Sequence, residues 1–263
     1  MALALGRLTF ANSRRWLKFL VGFLPKLKKQ KVFYQQKFST VEKTMMTMFH
    51  YTLWAKGLGD LGGRFKTIEE AIYWALEADL IYEEVMDVLH YQFVRIDFLD
   101  KPVEGIGFEC ALDLYCAYTL DQILVALGRH TENKKSHFQE GVLYLQEKNL
   151  DVFFVTLNKS EKDYSPSTMY HDYSINEELF HWQSQGRTTV ESPTGQRYIN
   201  QRKTGGNVLF FVREYKTEDN LTAPYICLGL ADYQSHYGSA PINIVWKMRQ
   251  PMPGFVMQKA AKV

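Results

Sequence analysis

The hydrophobic period of this chain changes near residues 130–140, and that change limits the folds open to it. Up to Gly128 apolar residues recur every three or four positions, the spacing of one helix face. Beyond it they alternate every second position, as in strands buried on one side. With 263 residues and 46% hydrophobic content, the chain is long enough to bury a sizeable core. The pattern predicts an α+β protein, an N-terminal helical region followed by a mostly antiparallel β-barrel or sandwich. Three segments are expected: a basic amphipathic stretch over 1–38, a helical docking region over 39–130, and a β-rich ligand-binding domain over 131–263.

Helix boundaries are marked by capping chemistry. Ser39 with Glu42 forms a capping box ahead of Met45, Met48, Phe49 and Thr52 on one face, and Gly57 and Gly59 close that pattern. Thr67 with Glu70 opens a helix from Ile68 to about Leu80, and Ile81, Val85, Val88 and Leu89 continue a second periodic run. Thr119 with Gln122 caps Leu120–Leu127, ended by Gly128.

The net charge of +2 hides an asymmetry. Residues 1–41 hold nine Lys or Arg and no acid, whereas residues 42–113 hold six against fourteen acids. Within the basic head, Trp16, Phe19, Leu20, Phe23, Leu24 and Leu27 lie at helical spacing between Arg14, Arg15 and Lys18. Such a helix can lie on a membrane, serve as a targeting segment, or dock on an acidic neighbour. The acidic stretch that follows favours docking, and no apolar run is long enough to span a bilayer. No membrane partner is therefore expected. Cys110, Cys116 and Cys227 lack metal-ligand spacing and fit buried free thiols in a reducing compartment. A Walker loop, a Rossmann glycine fingerprint, a Cys-x-x-Cys pair and a His-Glu-x-x-His motif are all missing, so neither metal nor cofactor is expected.

Strands are expected near 141, 151, 179, 196, 207, 225 and 242, separated by turn signals at 192, 205, 223 and 238. Candidate chemistry lies in this half. Lys159, Ser160 and Lys162 follow an apolar strand, where hydroxyls, ammonium groups and backbone amides can meet phosphate. Strand alternation sends His181, Gln183 and Gln185 to one face and Trp182 with Ser184 to the other. Unpaired amides are costly to bury, so the first set is expected to face solvent, a ligand or each other. With Tyr173, Arg187, Arg197, Tyr198 and Arg202 nearby in sequence, this set suits nucleic acid: amides read base edges, arginines hold bases or phosphates, and rings stack. A nuclease alternative uses Glu214 and Lys216 as a Glu-x-Lys half-site, with Asp151 or Asp172 as the second carboxylate. A non-catalytic protein-interaction module is the third reading.

The strings FFVTLNKSEKDYSPSTMYHDYSINEELFHWQSQGRTTVESPTGQRYINQR, VLFFVRE, APYICLG and PINIVWKMRQPMP resemble the domain of unknown function at the C-terminus of bacterial superfamily II DNA/RNA helicases. In that family a phospholipase-D-like nuclease often stands at the front. The resemblance spans roughly residues 45–258 and implies DNA or RNA as ligand, a helicase or ATPase domain or subunit as partner, and a role in restriction or phage defence. Taken with the aromatic and amide residues above, the expectation is a nucleic-acid-binding accessory domain, and a barrel pocket that stacks and reads a particular or modified base is its sharper variant. The motor motifs are absent from this chain, so helicase activity does not transfer with the resemblance.

Overall fold

The computed structural model describes residues 2–30, 38–158, 172–218 and 220–260. The chain divides into two compact units, Met1–Glu104 with Phe108–Gln139, and Gly105–Gly107 with Glu140–Val263.

The first unit is helical, with α1 (Ala2–Leu8), α2 (Arg14–Gln30), α3 (Thr40–Trp54), α4 (Ile68–Ala75), α5 (Asp79–Arg95), the short β1 (Ala117–Tyr118) and α6 (Leu120–Ala126). The amphipathic helix continues through Pro25 to Gln30 and buries Trp16, Leu17, Leu20, Phe23, Leu24 and Leu27. Its cations meet the acids that follow: Arg14 pairs with Asp100 at 2.7 Å, Arg15 with Asp113 at 2.8 Å and Lys28 with Asp79 at 2.8 Å. Lys28 also donates to the carbonyls of Leu76 and Glu77, just past α4, where the helix leaves acceptors unpaired. The capping boxes of α3 and α6 are both complete. At α4 the Thr67 side chain accepts from the Glu70 N–H, but the Glu70 carboxylate turns to the Lys66 N–H. The helix expected to run to Leu80 stops at Ala75, and α5 starts afresh at Asp79.

The second unit holds β2 (Val142–Leu145), β3 (Leu150–Thr156), β4 (Tyr173–Ser174), β5 (Leu179–Gln183), β6 (Asn207–Arg213), the β7–β8 hairpin (Thr217–Glu218, Leu221–Thr222), β9 (Tyr225–Tyr237) and β10 (Asn243–Met248). These pair in the order β2-β3-β6-β9-β10-β5-β4. Neighbours are antiparallel except β3 and β6, which run parallel. The sheet is open, with β2 and β4 at its ends, so the barrel form of the expectation is not realised.

Residues 196–200 were expected to form a strand, and here the expectation fails. Ser192 accepts from the Gly195 N–H, Pro193 fills the first turn, and Pro193–Ile199 forms α7, followed by α8 (Gln201–Thr204). The Ser-Pro-Thr-Gly signal at 192 is thus a helix start rather than a turn. Tyr198 from α7 joins Phe153, Phe180, Trp182, Phe210 and Trp246 in a core closed by Met252 and by Val256 of α9 (Gly254–Ala260). Phe153 stacks on Trp182 with centroids 4.1 Å apart. Each such ring contributes roughly 1.5–3 kcal/mol by leaving water.

Candidate nucleic-acid interface

Strand register decides which side chains share a face. Tyr173 on β4 lies opposite His181 on β5, His181 opposite Val245 on β10, and Val245 opposite Ser235 on β9. Two residues along, Gln183 lies opposite Asn243, and Asn243 opposite Tyr237. Directly opposed residues point the same way, so two rows of polar and aromatic groups run side by side on one face. The other face carries Phe180, Trp182, Ile244 and Trp246 into the core.

Within the rows the groups hold one another. The His181 ring stacks on Tyr173 at 4.7 Å with planes 20° apart, and the Tyr237 hydroxyl lies 3.3 Å from His181 Nε2. Gln183 Nε2 donates to Asn243 Oδ1 at 2.8 Å, and the Gln183 backbone N–H donates to Asp172 Oδ1 at 2.9 Å. Asp172 therefore takes up a β5 amide beyond the short β4. His181 is 3% exposed beneath Tyr173 and Tyr237, while Tyr237 is 60% exposed. Of the three residues expected on one face, His181 and Gln183 share it, and Gln183 bonds Asn243 rather than Gln185. Lys247, which is exposed, stands on this face and pairs with Glu178 at 3.2 Å.

The other predicted residues are dispersed. Trp182 and Tyr198 are core residues, with Tyr198 edge-on to both Phe153 and Trp182. Burial raises the Tyr198 hydroxyl pKa. Gln185 lies beyond the end of β5 in a turn, where its carbonyl accepts from the Thr188 N–H, so strand alternation does not reach it; Arg187 is exposed in that turn. Arg197 forms a bidentate pair with Asp151 at 2.8 and 2.9 Å and lies 3.9 Å over the Tyr144 ring, on the core side of the sheet. Burial pushes the Asp151 carboxyl up despite this partner. Arg202 lies 3.8 Å from Asp232. Lys159, Ser160 and Lys162 fall outside the described residues.

The nuclease constellation is not assembled. Glu214 follows β6, three strands from β5, about 14 Å at ordinary strand spacing, and Asp172 lies beyond β5. Asp151 sits at the opposite end of β3 from Thr156, the residue opposite Arg213, roughly 16 Å along the strand, and is held by Arg197. Glu214 offers its carbonyl to the Asn158 N–H, and Lys216 is exposed. Among the described residues, Asp100, Asp113 and Cys116 bring possible metal-ligating atoms within 4.8 Å of one another. Arg14 and Arg15 already neutralise its two carboxylates.

Sequence reasoning missed Tyr237 and Asn243. A Gly-Ser-Ala-Pro hairpin turn over 238–241 would pair Tyr237 with Ile242, whereas the observed register pairs Tyr237 with Asn243, so no local signal places both beside Gln183.

Among solved structures, the SUVH5 SRA domain in complex with hemi-methylated CG DNA is similar over 57% of this chain and 99% of that one, at 14% identity and a TM-score of 0.38. The DNA recognition domain of the cytosine modification-dependent restriction endonuclease LpnPI covers 57% of this chain and 79% of its own, at 10% identity and a TM-score of 0.35. Arabidopsis thaliana SUVH6 in complex with SAM covers 85% and 42%, at 10% identity and a TM-score of 0.38. These scores are too low to say anything of this chain's chemistry. No curated protein matches by sequence. Residues 112–259, more than half of the chain, match the family described as Domain of unknown function (DUF3427), and the chain belongs to that family.

Proposed function

We propose that the β4–β5–β10–β9 face binds nucleic acid, with the Tyr173–His181–Tyr237 rings as a stacking edge and the Gln183–Asn243 amides as base readers. The observation that carries this reading is the pair of opposed rows: rings and amides from four strands converge on one face although the core lies on the other. Planar rings stack any base, and paired amides offer donors and acceptors that match a base edge. Arg187 and Lys247, like Lys159, Ser160 and Lys162, are assigned to phosphate on their chemistry.

A base must leave a duplex, or arrive in a single strand, to meet such a surface, so the reading extends to a particular or modified base. The resemblance to helicase-terminal domains supports an accessory rather than catalytic role, in a cytoplasmic restriction or defence protein with a helicase or ATPase partner. A gel-shift panel of plain and cytosine-modified duplexes and single strands tests it. Binding to at least one probe is expected, weakened by Gln183→Ala or Asn243→Ala with the fold intact. Absence of binding to every probe refutes the reading.

A further inference from the structure

The outer face of α5 carries a pattern that its own fold uses only at Tyr91, where the Arg95 guanidinium lies 5.1 Å from the ring centre. Val85, Met86, Leu89 and Gln92 point inward. On the opposite side Leu80, Glu84, Asp87, Tyr91 and Val94 follow one another at steps of four, three, four and three, and all are exposed. Leu80 is 71%, Tyr91 59% and Val94 78% accessible. Alternating steps of four and three average 3.5 residues, the spacing of a helix seam built to lie along a second helix. A solvated face has no need for large apolar groups at those positions, and soluble surfaces rarely line them up.

The seam is apolar at both ends and acidic in its centre, which selects its occupant. A second copy of the chain is a poor match. Antiparallel pairing centred on Asp87 sets Asp87 against Asp87, and parallel pairing sets Glu84 against Glu84. An anionic membrane is repelled by the same two carboxylates, with Glu83 beside them. Charge complementarity instead calls for a cationic centre between apolar ends.

We propose that α5 is a docking surface for an amphipathic helix of a protein partner whose seam presents Lys or Arg to Glu84 and Asp87, and apolar side chains to Leu80, Tyr91 and Val94. The proposal concerns the helical unit and does not depend on the sheet face assigned to nucleic acid.

The test uses the whole chain and a synthetic helical peptide of about three heptads. The peptide carries Leu at the seam positions that meet Leu80, Tyr91 and Val94, and Lys at those that meet Glu84 and Asp87. Saturable binding by fluorescence anisotropy is expected, weakened about tenfold or more by the double variant Glu84→Lys, Asp87→Lys. A second peptide with Glu in place of Lys should bind that variant and not the natural chain. Both substituted positions are exposed, so folding is preserved, and circular dichroism checks it. No saturable binding, binding indifferent to the charge swap, or a chain that self-associates in sedimentation and is made monomeric by Tyr91→Lys would overturn the proposal.

Discussion

His50, fully buried on α3, donates its Nε2–H to the Lys56 carbonyl at 2.9 Å, while its Nδ1 has no hydrogen-bond partner among the described residues. Burial lowers its pKa from 6.5 to about 4. Between those values the unfolded chain binds the proton and the folded chain does not, so acid favours unfolding. The stability contribution is complete above pH 6.5 and is lost as pH falls towards 4, a change on the order of 3 kcal/mol. Urea unfolding at pH 7 and pH 4.5 should show this loss, and His50→Gln, which keeps a donor but cannot take the proton, should flatten it. A second residue-scale outcome concerns Arg197. Its removal leaves the buried Asp151 carboxylate unpaired, so Arg197→Ala should cost about 3–5 kcal/mol, and the Asp151→Ala, Arg197→Ala double variant should recover much of it. Denaturant midpoints of the two variants decide this. In sequence Arg197 looked like a phosphate ligand because its partner lies 46 positions away, a contact that no local pattern records. His181 and Gln183 were legible because two-residue alternation fixes a face wherever the strand is established.

Elements were legible where backbone chemistry marks them locally. Ser39, Thr67, Ser192 and Thr119 all accept from the N–H three residues on, and three of the four helix starts were foreseen. The fourth, α7, was hidden because Ser-Pro-Thr-Gly signals a turn as well as a helix start, and Arg-Tyr-Ile reads as strand. Only tertiary packing separates the two. Gly195 shows how tight that packing is: a Cβ there would stand 2.1 Å from the Thr189 carbonyl oxygen and 2.9 Å from the Ile242 side chain. Gly195→Ala should therefore shift α7 and cost about 1–3 kcal/mol, whereas Ser192→Ala should cost about 1 kcal/mol through the lost cap. Thermal unfolding of the two variants ranks them, and an unchanged midpoint for Gly195→Ala would contradict the packing.

At the scale of the molecule, the chain forms a helical unit and a sheet unit, the second including Glu140–Val263. Charge sorts within the first unit, where Arg14, Arg15 and Lys28 of the basic helix α2 pair with Asp100, Asp113 and Asp79. The face proposed for nucleic acid is built by the second unit from long-range register, which is why Tyr237 and Asn243 were invisible to a reading along the chain. The most direct test of the account is an equilibrium titration of the chain with a fluorescent oligonucleotide that it binds, repeated over a range of salt. Affinity should fall as salt rises, with a log–log slope of about −0.7 to −0.9 for each phosphate contacted. Tyr237→Ala should weaken binding by the roughly 1–3 kcal/mol of one stacked base, while Trp74→Ala on α4 leaves it unchanged. Binding unaltered by Tyr237→Ala but reduced by Trp74→Ala would place the interface on the helical unit and contradict the assignment to the sheet.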